Sequence, residues 1–281
     1  MTVEDGAMMG PMRASYAAAL ERLESLLTGE RPVPLAGVGD EILSFARLLA
    51  REPRLRRALS DPARSGEERA ELLRSIVHGK VAEDTEALLG ILASGRWSAP
   101  ADLLDGTERL GVEALLASAE LGEELGEVED ELFRFGQIVN ADQQLAATLG
   151  DSSASPARRA ELVRALLENQ ARAVTIRLVE VALHGFGGRG FAASLSRLVE
   201  LAAQRRDRQV AYLTVAAPLT EEQERRLGER LAEIYGRQMA LKITLDPRIV
   251  GGLSVQVGHD LYDGTILRRI NETRAALSGR R

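Results

Sequence analysis

The chain has 281 residues, a length that allows either one large domain or two to three smaller ones. Its apolar fraction of 45% is ordinary for a globular protein, whereas its net charge of −6 argues against a nucleic-acid-binding surface. The absence of cysteine excludes disulfides, thiolate metal sites and cysteine nucleophiles.

The first sixteen residues contain early acids and no continuous apolar run, so they do not predict a secretory signal. No stretch reaches the roughly 18 apolar residues of a membrane span, so direct membrane insertion is not expected. Ala, Leu, Arg and Glu dominate the composition, and aromatic residues make up only 4%. Because these side chains lose little freedom in a helix, the composition favours helices.

An internal duplication occupies the first two thirds of the chain. DEILSFARLL (40–49) matches DELFRFGQIV (130–139) at an offset of 90 residues, 130 minus 40. With that offset held, 12 of the 38 positions between 40–77 and 130–167 are identical without a gap. We therefore interpret the pair as two copies of one unit, with copy 1 assigned to residues 1–107 and copy 2 to residues 108–204.

The predicted helix boundaries agree between the copies. In copy 1, Ser65 and Glu68 form a capping box, in which each side chain binds the other residue's backbone N–H. In copy 2, Ser155 is predicted to cap a helix whose first position is Pro156. Apolar residues follow at spacings of three and four, so each copy is predicted to be an all-α bundle of amphipathic helices.

GFGGRG (185–190) has the spacing of a dinucleotide-binding loop, which requires a strand before it and a helix after it. The preceding residues instead have helical spacing, and they align with EDTEALLGILASGR (83–96) at the same offset. Gly185 then aligns with Gly95, at the end of a helix. The stretch is therefore predicted to be a mobile turn between helices, and no cofactor is expected.

After RRDR (205–208) the helical pattern gives way to stretches that favour strands. RRDR itself is predicted to be a polar linker, with contact to an acidic partner helix as the alternative. VAYLTVAAP (210–218) favours a strand. A second capping box, from Thr220 to Gln223, opens a helix that reaches about Tyr235.

Two later stretches alternate between apolar and polar residues, as half-buried strands do. The apolar positions are Leu241, Ile243 and Leu245, then Leu253, Val255 and Val257. A turn at 258–260 and a closing helix over 265–277 complete the order β-α-β-β-(β)-α. The predicted fold class is thus α+β and multidomain: two tandem all-α bundles followed by a small α/β module at 205–281.

Other chemically suggestive residues have simpler interpretations. His78, His184 and His259 are too far apart in sequence to have a metal-ligand spacing. The acidic segment 122–131 is predicted to be a solvated face, with a docking strip for a basic partner as the alternative. Asp246 and Asp263 allow an acid–base pair, but beside Pro and Gly they fit turns better.

LDPRIVGGLSVQVGHDLYDGTILRRI (245–270) closely resembles the C-terminal signature of the delta subunit of bacterial F-type ATP synthases. Its mitochondrial counterpart is the oligomycin-sensitivity-conferring protein. The matching residues, which the resemblance marks as structural or stalk-interface positions, are Asp246, Pro247, Gly251, Gly252, Gly258, Asp263, Gly264 and Thr265. The family usually has Ser at position 265. SYAAALERL (15–23) and residues 52–77 resemble the family's helical domain.

The resemblance implies a stator subunit, present once in a hetero-oligomeric complex, with no catalytic residues, metal or cofactor. Its helical domain would bind N-terminal segments of the alpha subunits, and its C-terminal domain would bind the end of the b subunit. The implied location is the cytoplasmic side of the cell membrane, as a peripheral part of the ATP synthase.

The extra helical copy departs from the usual family pattern, although some actinobacterial members share it. Which copy binds alpha is therefore open, and we expect the second copy to add reach or a further contact. A free-standing helical adaptor is the alternative function. A nucleotide-dependent enzyme is a third, supported only by GFGGRG. The choice of proton or sodium as the coupling ion is also open.

Overall fold

The computed structural model of the protein describes residues 10–29, 31–151, 153–207, 210–235, 239–246, 252–257 and 260–263. The chain forms two compact units, Met1–Ala202 and Ala203–Arg281. The helices are α1 (Gly10–Leu27), α2 (Leu35–Arg51), α3 (Pro53–Leu59), α4 (Gly66–Val77), α5 (Glu83–Ser94), α6 (Pro100–Leu121), α7 (Leu125–Ala141), α8 (Gln143–Gly150), α9 (Pro156–Leu167), α10 (Ala173–Leu183), α11 (Phe191–Asp207) and α12 (Glu221–Tyr235). The strands are β1 (Val210–Val215), β2 (Ala240–Leu245), β3 (Leu253–Val257) and β4 (Asp260–Asp263).

The helix bounds of the first unit repeat at the predicted offset. Helices α2 and α7 begin and end 90 residues apart, and so do α4 and α9. The cores repeat as well, since Ile42 and Phe45 are buried on α2 and their counterparts Leu132 and Phe135 are buried on α7. The predicted all-α architecture of both copies is confirmed.

A buried hydrogen-bond motif also occurs once in each copy. In copy 1, one carboxylate oxygen of Glu41 accepts hydrogen bonds from the Thr85 hydroxyl at 2.5 Å and the Ala82 backbone N–H at 3.0 Å. In copy 2, Glu131 accepts from Thr175 at 2.6 Å and from the Arg172 N–H at 2.8 Å. The motif ties the second helix of each copy to the start of its fifth, so the duplication extends to side-chain contacts.

We expect Thr85→Val and Thr175→Val each to lower the free energy of unfolding by about 1–2 kcal/mol. Both threonines are fully buried, and removing either hydroxyl leaves the carboxylate oxygen with the backbone N–H as its one remaining donor of the motif. Thr148→Val on α8 is the matched control, because Thr148 is exposed and should change stability by less than about 0.5 kcal/mol. Urea denaturation of the three variants measures the difference. Equal effects in all three would show that the motif does not contribute to stability.

Helix α6 is shared by the two copies. Its side chains are buried on every face along the second half of the helix, which is typical of a helix enclosed by protein. Leu110, Ala114 and Ala117 belong to the core of copy 1, whereas Val112 and Leu116 belong to that of copy 2. Residues 107 and 108 lie inside this helix, so no linker separates the copies where the sequence-based boundary was drawn. The three-domain division stays a prediction.

The predicted helix caps are mostly confirmed. Ser65 and Glu68 form both hydrogen bonds of a capping box, at 3.2 and 2.7 Å. Thr220 and Gln223 do the same, at 3.3 and 2.8 Å. Ser155 and Pro156 take the predicted N-cap and first helical positions of α9, but the Ser155 side chain caps no backbone N–H, so that part of the prediction is wrong. The third helical position there is Arg158, which cannot return the second hydrogen bond of a capping box.

The predicted linker at RRDR is also corrected. Arg205, Arg206 and Asp207 form the last turn of α11, and Arg205 is fully buried. The helical period of α11 therefore continues through these charged residues, and only Arg208 of the motif lies outside the described part of the chain.

The second unit contains a four-stranded mixed sheet in the order β2-β1-β3-β4. Strands β1 and β2 are parallel and are connected through α12, as in a β-α-β unit. Strands β3 and β4 extend the sheet by antiparallel pairing. The predicted order from β1 to β4 is confirmed, and the predicted closing helix over 265–277 lies outside the described residues.

One face of this sheet forms the core of the second unit. Leu213, Val255 and Val257 are buried on that face, together with Leu231 of α12. Leu241, Ile243 and Leu253 pack partly against the same cluster. The predicted alternation is therefore confirmed in β3 and for Leu241 and Ile243 of β2, whereas Leu245 at the end of β2 is exposed.

Candidate partner-binding surfaces

The described residues of the C-terminal motif converge at one end of the sheet. The register pairs Val215 at the end of β1 with Leu245, the residue before Asp246, and with Leu253, the residue after Gly252. Asp263 ends β4 at the same end of the sheet, opposite Ser254. Three motif positions, Asp246, Gly252 and Asp263, therefore lie together at one end of the sheet.

The backbone explains two of these three positions. The Asp246 N–H donates to the Val215 carbonyl at 3.0 Å, which extends the β1–β2 pairing by one bond. Gly252 has a φ of 85°, a left-handed conformation that favours glycine. Asp263 is the last residue of β4, and the turn predicted to follow it lies outside the described residues. Five further motif positions lie outside the described residues: Pro247, Gly251, Gly258, Gly264 and Thr265.

The same register argues against a catalytic pair formed by the two motif aspartates. Asp246 follows β2 and Asp263 ends β4, and these are the two outer strands of the sheet. Three strand spacings of about 4.8 Å place their backbones roughly 14 Å apart. Two carboxyl groups that share one proton must be within hydrogen-bond distance of each other, and this backbone separation does not favour that, so this end of the sheet fits a binding surface better.

GFGGRG forms the corner, or interhelical turn, between α10 and α11. It follows α10 where a dinucleotide loop would follow a strand, so the nucleotide-binding interpretation is wrong. Gly185, Gly187 and Gly188 all have positive φ, and Phe186–Gly188 form a short 3-10 turn. The backbone N–H of Gly187 donates to a carboxylate oxygen of Glu108 on α6 at 2.9 Å. The corner is thus attached to the shared helix, which argues against the predicted mobility.

The environment of this corner shifts the ionisation of two acids on α6. Burial raises the pKa of Glu108, while the hydrogen bond from Gly187 opposes the shift and nearby Asp105 adds to it. Burial also raises the pKa of Asp105, with Asp102 adding to the shift and Arg189 opposing it. The ionised carboxylates are therefore held in an environment that disfavours their charge.

We expect Glu108→Gln to weaken the pH dependence of stability. Because folding raises the pKa of Glu108, stability should fall as the pH rises from the unfolded-state pKa through the folded-state pKa. A glutamine keeps an acceptor for Gly187 but does not titrate, so the decline should be shallower. Urea denaturation between pH 4 and 8 measures this slope, and an unchanged slope in the variant would contradict the assignment.

The histidines have local roles where the structure describes them. The Nδ1 atom of His78 lies 3.0 Å from a Glu86 carboxylate oxygen, and Nδ1 of His184 lies 2.8 Å from the Glu180 carbonyl. His259 lies outside the described residues. Within the part of the chain that is described, no group of three acidic or histidine side chains is placed to hold a metal ion. No described helix is long and apolar enough to cross a bilayer.

The acidic segment 122–131 is only partly a solvated face. Glu127 and Asp130 are exposed on α7 as predicted. Glu124, however, forms an ion pair with Arg172 at 3.2 Å, and Glu131 accepts the buried hydrogen bonds described above. Two acids of the segment therefore make contacts within copy 2.

Comparison with known proteins relates both units to one family. The family model for the ATP synthase delta (OSCP) subunit matches residues 112–277. That range begins inside α6 and covers copy 2 and the C-terminal module. Most of copy 1 lies before this range. The family model is therefore matched by one helical copy, copy 2, together with the C-terminal module.

Whole-length relatives include copy 1 as well. The ATP synthase subunit delta of Salinispora arenicola is 60% identical over 95% of this chain and 98% of its own length. The ATP synthase subunit delta of Streptomyces griseus is 43% identical, over 97% of this chain and all of its own. The duplicated architecture is therefore shared with these relatives, and the chain belongs to the ATP synthase delta (OSCP) subunit family.

Proposed function

We propose that this chain is the peripheral-stalk, or stator, subunit that links the catalytic alpha–beta head of an F-type ATP synthase to its b-subunit stalk. The observation that carries the proposal is the match over nearly the whole chain to proteins named ATP synthase subunit delta. Subunits of this family are structural, and the chain contributes binding surfaces to the complex instead of a catalytic site. The extent of the match also counts against a free-standing adaptor.

The two units suit two different contacts. The helical unit offers amphipathic helices with grooves between them, in which a helical segment of an alpha subunit can bury its apolar face. The C-terminal module offers the end of the sheet that carries Asp246, Gly252 and Asp263. We assign this surface to binding the end of the b subunit. The two contacts act in series, because rotor torque passes from the head through the chain to the stalk, so the link needs both of them. The complex would hold the chain peripherally on the cytoplasmic side of the cell membrane.

Binding measurements with the purified full chain test this proposal. The chain is titrated separately with an alpha–beta–gamma head complex and with a soluble fragment of the b subunit. We expect saturable binding to both. Binding to neither would overturn the proposal, and tight binding of a nucleotide by the isolated chain would instead revive the enzyme alternative.

A further inference from the structure

A pocket of about 370 Å³ lies in copy 1, where the turn between α3 and α4 meets the turn between α5 and α6. This volume falls within the range of ligand pockets in proteins. Its apolar wall consists of Ala58, Pro62, Pro100 and the indole of Trp97, the single tryptophan of the chain. The pocket is formed by turns, and it is separate from the end of the sheet assigned above.

The indole that forms this wall is held in place from behind. Its Nε1–H donates to the Leu92 carbonyl at 2.8 Å. A Cβ on Gly106 would lie 2.7 Å from its Cη2 atom, so the ring lies directly against α6. Because the wall is preformed, a ligand would bind there with little further loss of side-chain freedom.

The charged side of the pocket has more cations than anions. Arg57 and Arg64 line it, and Asp61 is the one acid among its lining residues. The Nε of Arg57 donates to the Pro53 carbonyl at 3.2 Å, and its exposed guanidinium forms no ion pair with any residue that the structure describes. The Arg64 Nε lies 4.0 Å from an Asp61 carboxylate oxygen, and because both side chains are largely solvated this pair contributes little. Both arginines are therefore available to an anionic ligand.

Asp61 has a structural role that recurs in copy 2. One of its carboxylate oxygens accepts from the Ala63 backbone N–H at 2.9 Å. Its counterpart Asp151, 90 residues later, accepts in the same way from the Ser153 N–H at 2.8 Å. A hydrogen bond of this kind, to the backbone two residues ahead, stabilises a turn. The acid therefore serves the turn in each copy and does not mark the pocket as a site for a cation.

Copy 2 also shows that the fold does not require the arginines or the indole. The positions 90 residues after Arg57 and Arg64 are Ala147 and Ala154, and the corresponding turn before α11, GFGGRG, has no tryptophan. Copy 2 nevertheless forms helices on both sides of each turn, as copy 1 does. The cationic and aromatic lining is therefore specific to copy 1, and the helical architecture alone does not account for it.

We propose that this pocket binds an acidic segment of another protein chain. A carboxylate of that segment pairs with Arg57 and Arg64, and a neighbouring apolar side chain packs against Trp97. Arginine and tryptophan are among the residue types that contribute most to protein interfaces, and arginine binds a carboxylate through two parallel hydrogen bonds. A chain segment is favoured over a free anion, because an anion such as phosphate would use the charged side and leave the apolar wall uncovered. The inference adds to the stator function a further contact on copy 1.

Two synthetic peptides without tryptophan test the assignment on the full chain. One is a hexapeptide of alternating leucine and aspartate, and the other has asparagine in place of aspartate. Calorimetry measures binding, and the fluorescence of Trp97 reports whether the peptide reaches the pocket. We expect the aspartate peptide to bind saturably and to change the fluorescence, and the asparagine peptide to bind about tenfold more weakly or less.

A pair of double variants identifies the residues that bind the carboxylates. Arg57→Gln/Arg64→Gln should weaken binding of the aspartate peptide by about tenfold or more. Arg51→Gln/Arg54→Gln removes the same charge at two exposed arginines that do not line the pocket, so it should bind like the unmodified chain. Thermal melts check that both variants remain folded.

Several results would overturn the inference. They are a failure of the aspartate peptide to bind, equal binding of the two peptides, and equal binding by the two double variants. Calorimetric binding without a change in Trp97 fluorescence would place the peptide elsewhere and overturn it as well. In a further arm sodium phosphate replaces the peptide, and saturable binding of phosphate alone would assign the pocket to a free anion instead of a protein partner. Bridging of the head and the stalk is measured separately, so the proposed function stands or fails independently of these results.

Discussion

Replacing Arg69 by methionine should lower the free energy of unfolding by about 3–5 kcal/mol. This guanidinium is buried, and its Nε donates to the Ala93 carbonyl at 3.0 Å, while Nη2 donates to those of Ser94 and Gly95 at 2.9 and 2.8 Å. Nη1 donates to two more carbonyls, before α4. Methionine fills similar space but leaves all five carbonyls without this donor, so the end of α5 should lose its attachment to α4.

Arg159 in copy 2 is the matched control. It occupies the same position of the repeat, but its one described hydrogen bond is from Nη1 to the Leu149 carbonyl at 3.0 Å, and its buried Nε has no partner. The GFGGRG corner explains the difference, because α10 ends early and the Gly185 carbonyl accepts from Gly188 instead. We expect Arg159→Met to lower stability by only about 1 kcal/mol. Equal losses in urea denaturation would contradict this explanation.

The second large effect is expected where the two copies meet. Gly111→Ala should lower the free energy of unfolding by about 1–3 kcal/mol, although alanine is normally the better helix residue. The new Cβ would lie 2.7 Å from the Leu43 Cγ and 3.3 Å from the Gly39 carbonyl, so α2 and α6 would have to separate. Thermal and urea denaturation measure the loss.

Gly126→Ala provides the control with the opposite sign. Gly126 also lies within a helix, α7, but a Cβ there would meet nothing within 4 Å. Copy 1 already has alanine at the equivalent position, Ala36. The substitution should therefore raise stability by about 0.5–1 kcal/mol. A gain of similar size in Gly111→Ala would show that the close crossing of α2 and α6 is not tight in solution.

The duplication made much of the fold predictable from the sequence. Identical residues at the 90-residue offset, such as Arg69 and Arg159, fall where the two copies have the same helices. The identical pair Glu41 and Glu131 was another such signal, because it marks equivalent positions on α2 and α7. The strands of the C-terminal module were predictable because their apolar residues alternate.

The shared helix could not be predicted from the same pattern. A repeat offset shows which residues are equivalent but not which helix belongs to both copies, because that depends on tertiary packing. Leu110 and Ala114 of α6 lie in the core of copy 1 although they fall in the range assigned to copy 2. Deletion of residues 108–204 would therefore expose the core of copy 1, so surface variants are the better test of each copy's role.

The candidate sites were likewise predictable only in part from the sequence. The motif in residues 245–270 identified the family, but its convergence at one sheet end depends on strand order, which the sequence did not reveal. The ion pair between Asp40 of α2 and Arg177 of α10 was equally hidden, because the two residues are 137 positions apart, 177 minus 40. Their pairing follows from how copy 1 packs on copy 2.

Bridging of the head and the stalk is the central claim, and co-sedimentation tests it most directly. A labelled soluble b-subunit fragment is mixed with the alpha–beta–gamma head complex, with and without the full chain. The account predicts that the fragment sediments with the head only when the chain is present, at one chain per head. Sedimentation of the fragment with the head in the absence of the chain, or its failure to do so with the chain present, would contradict it.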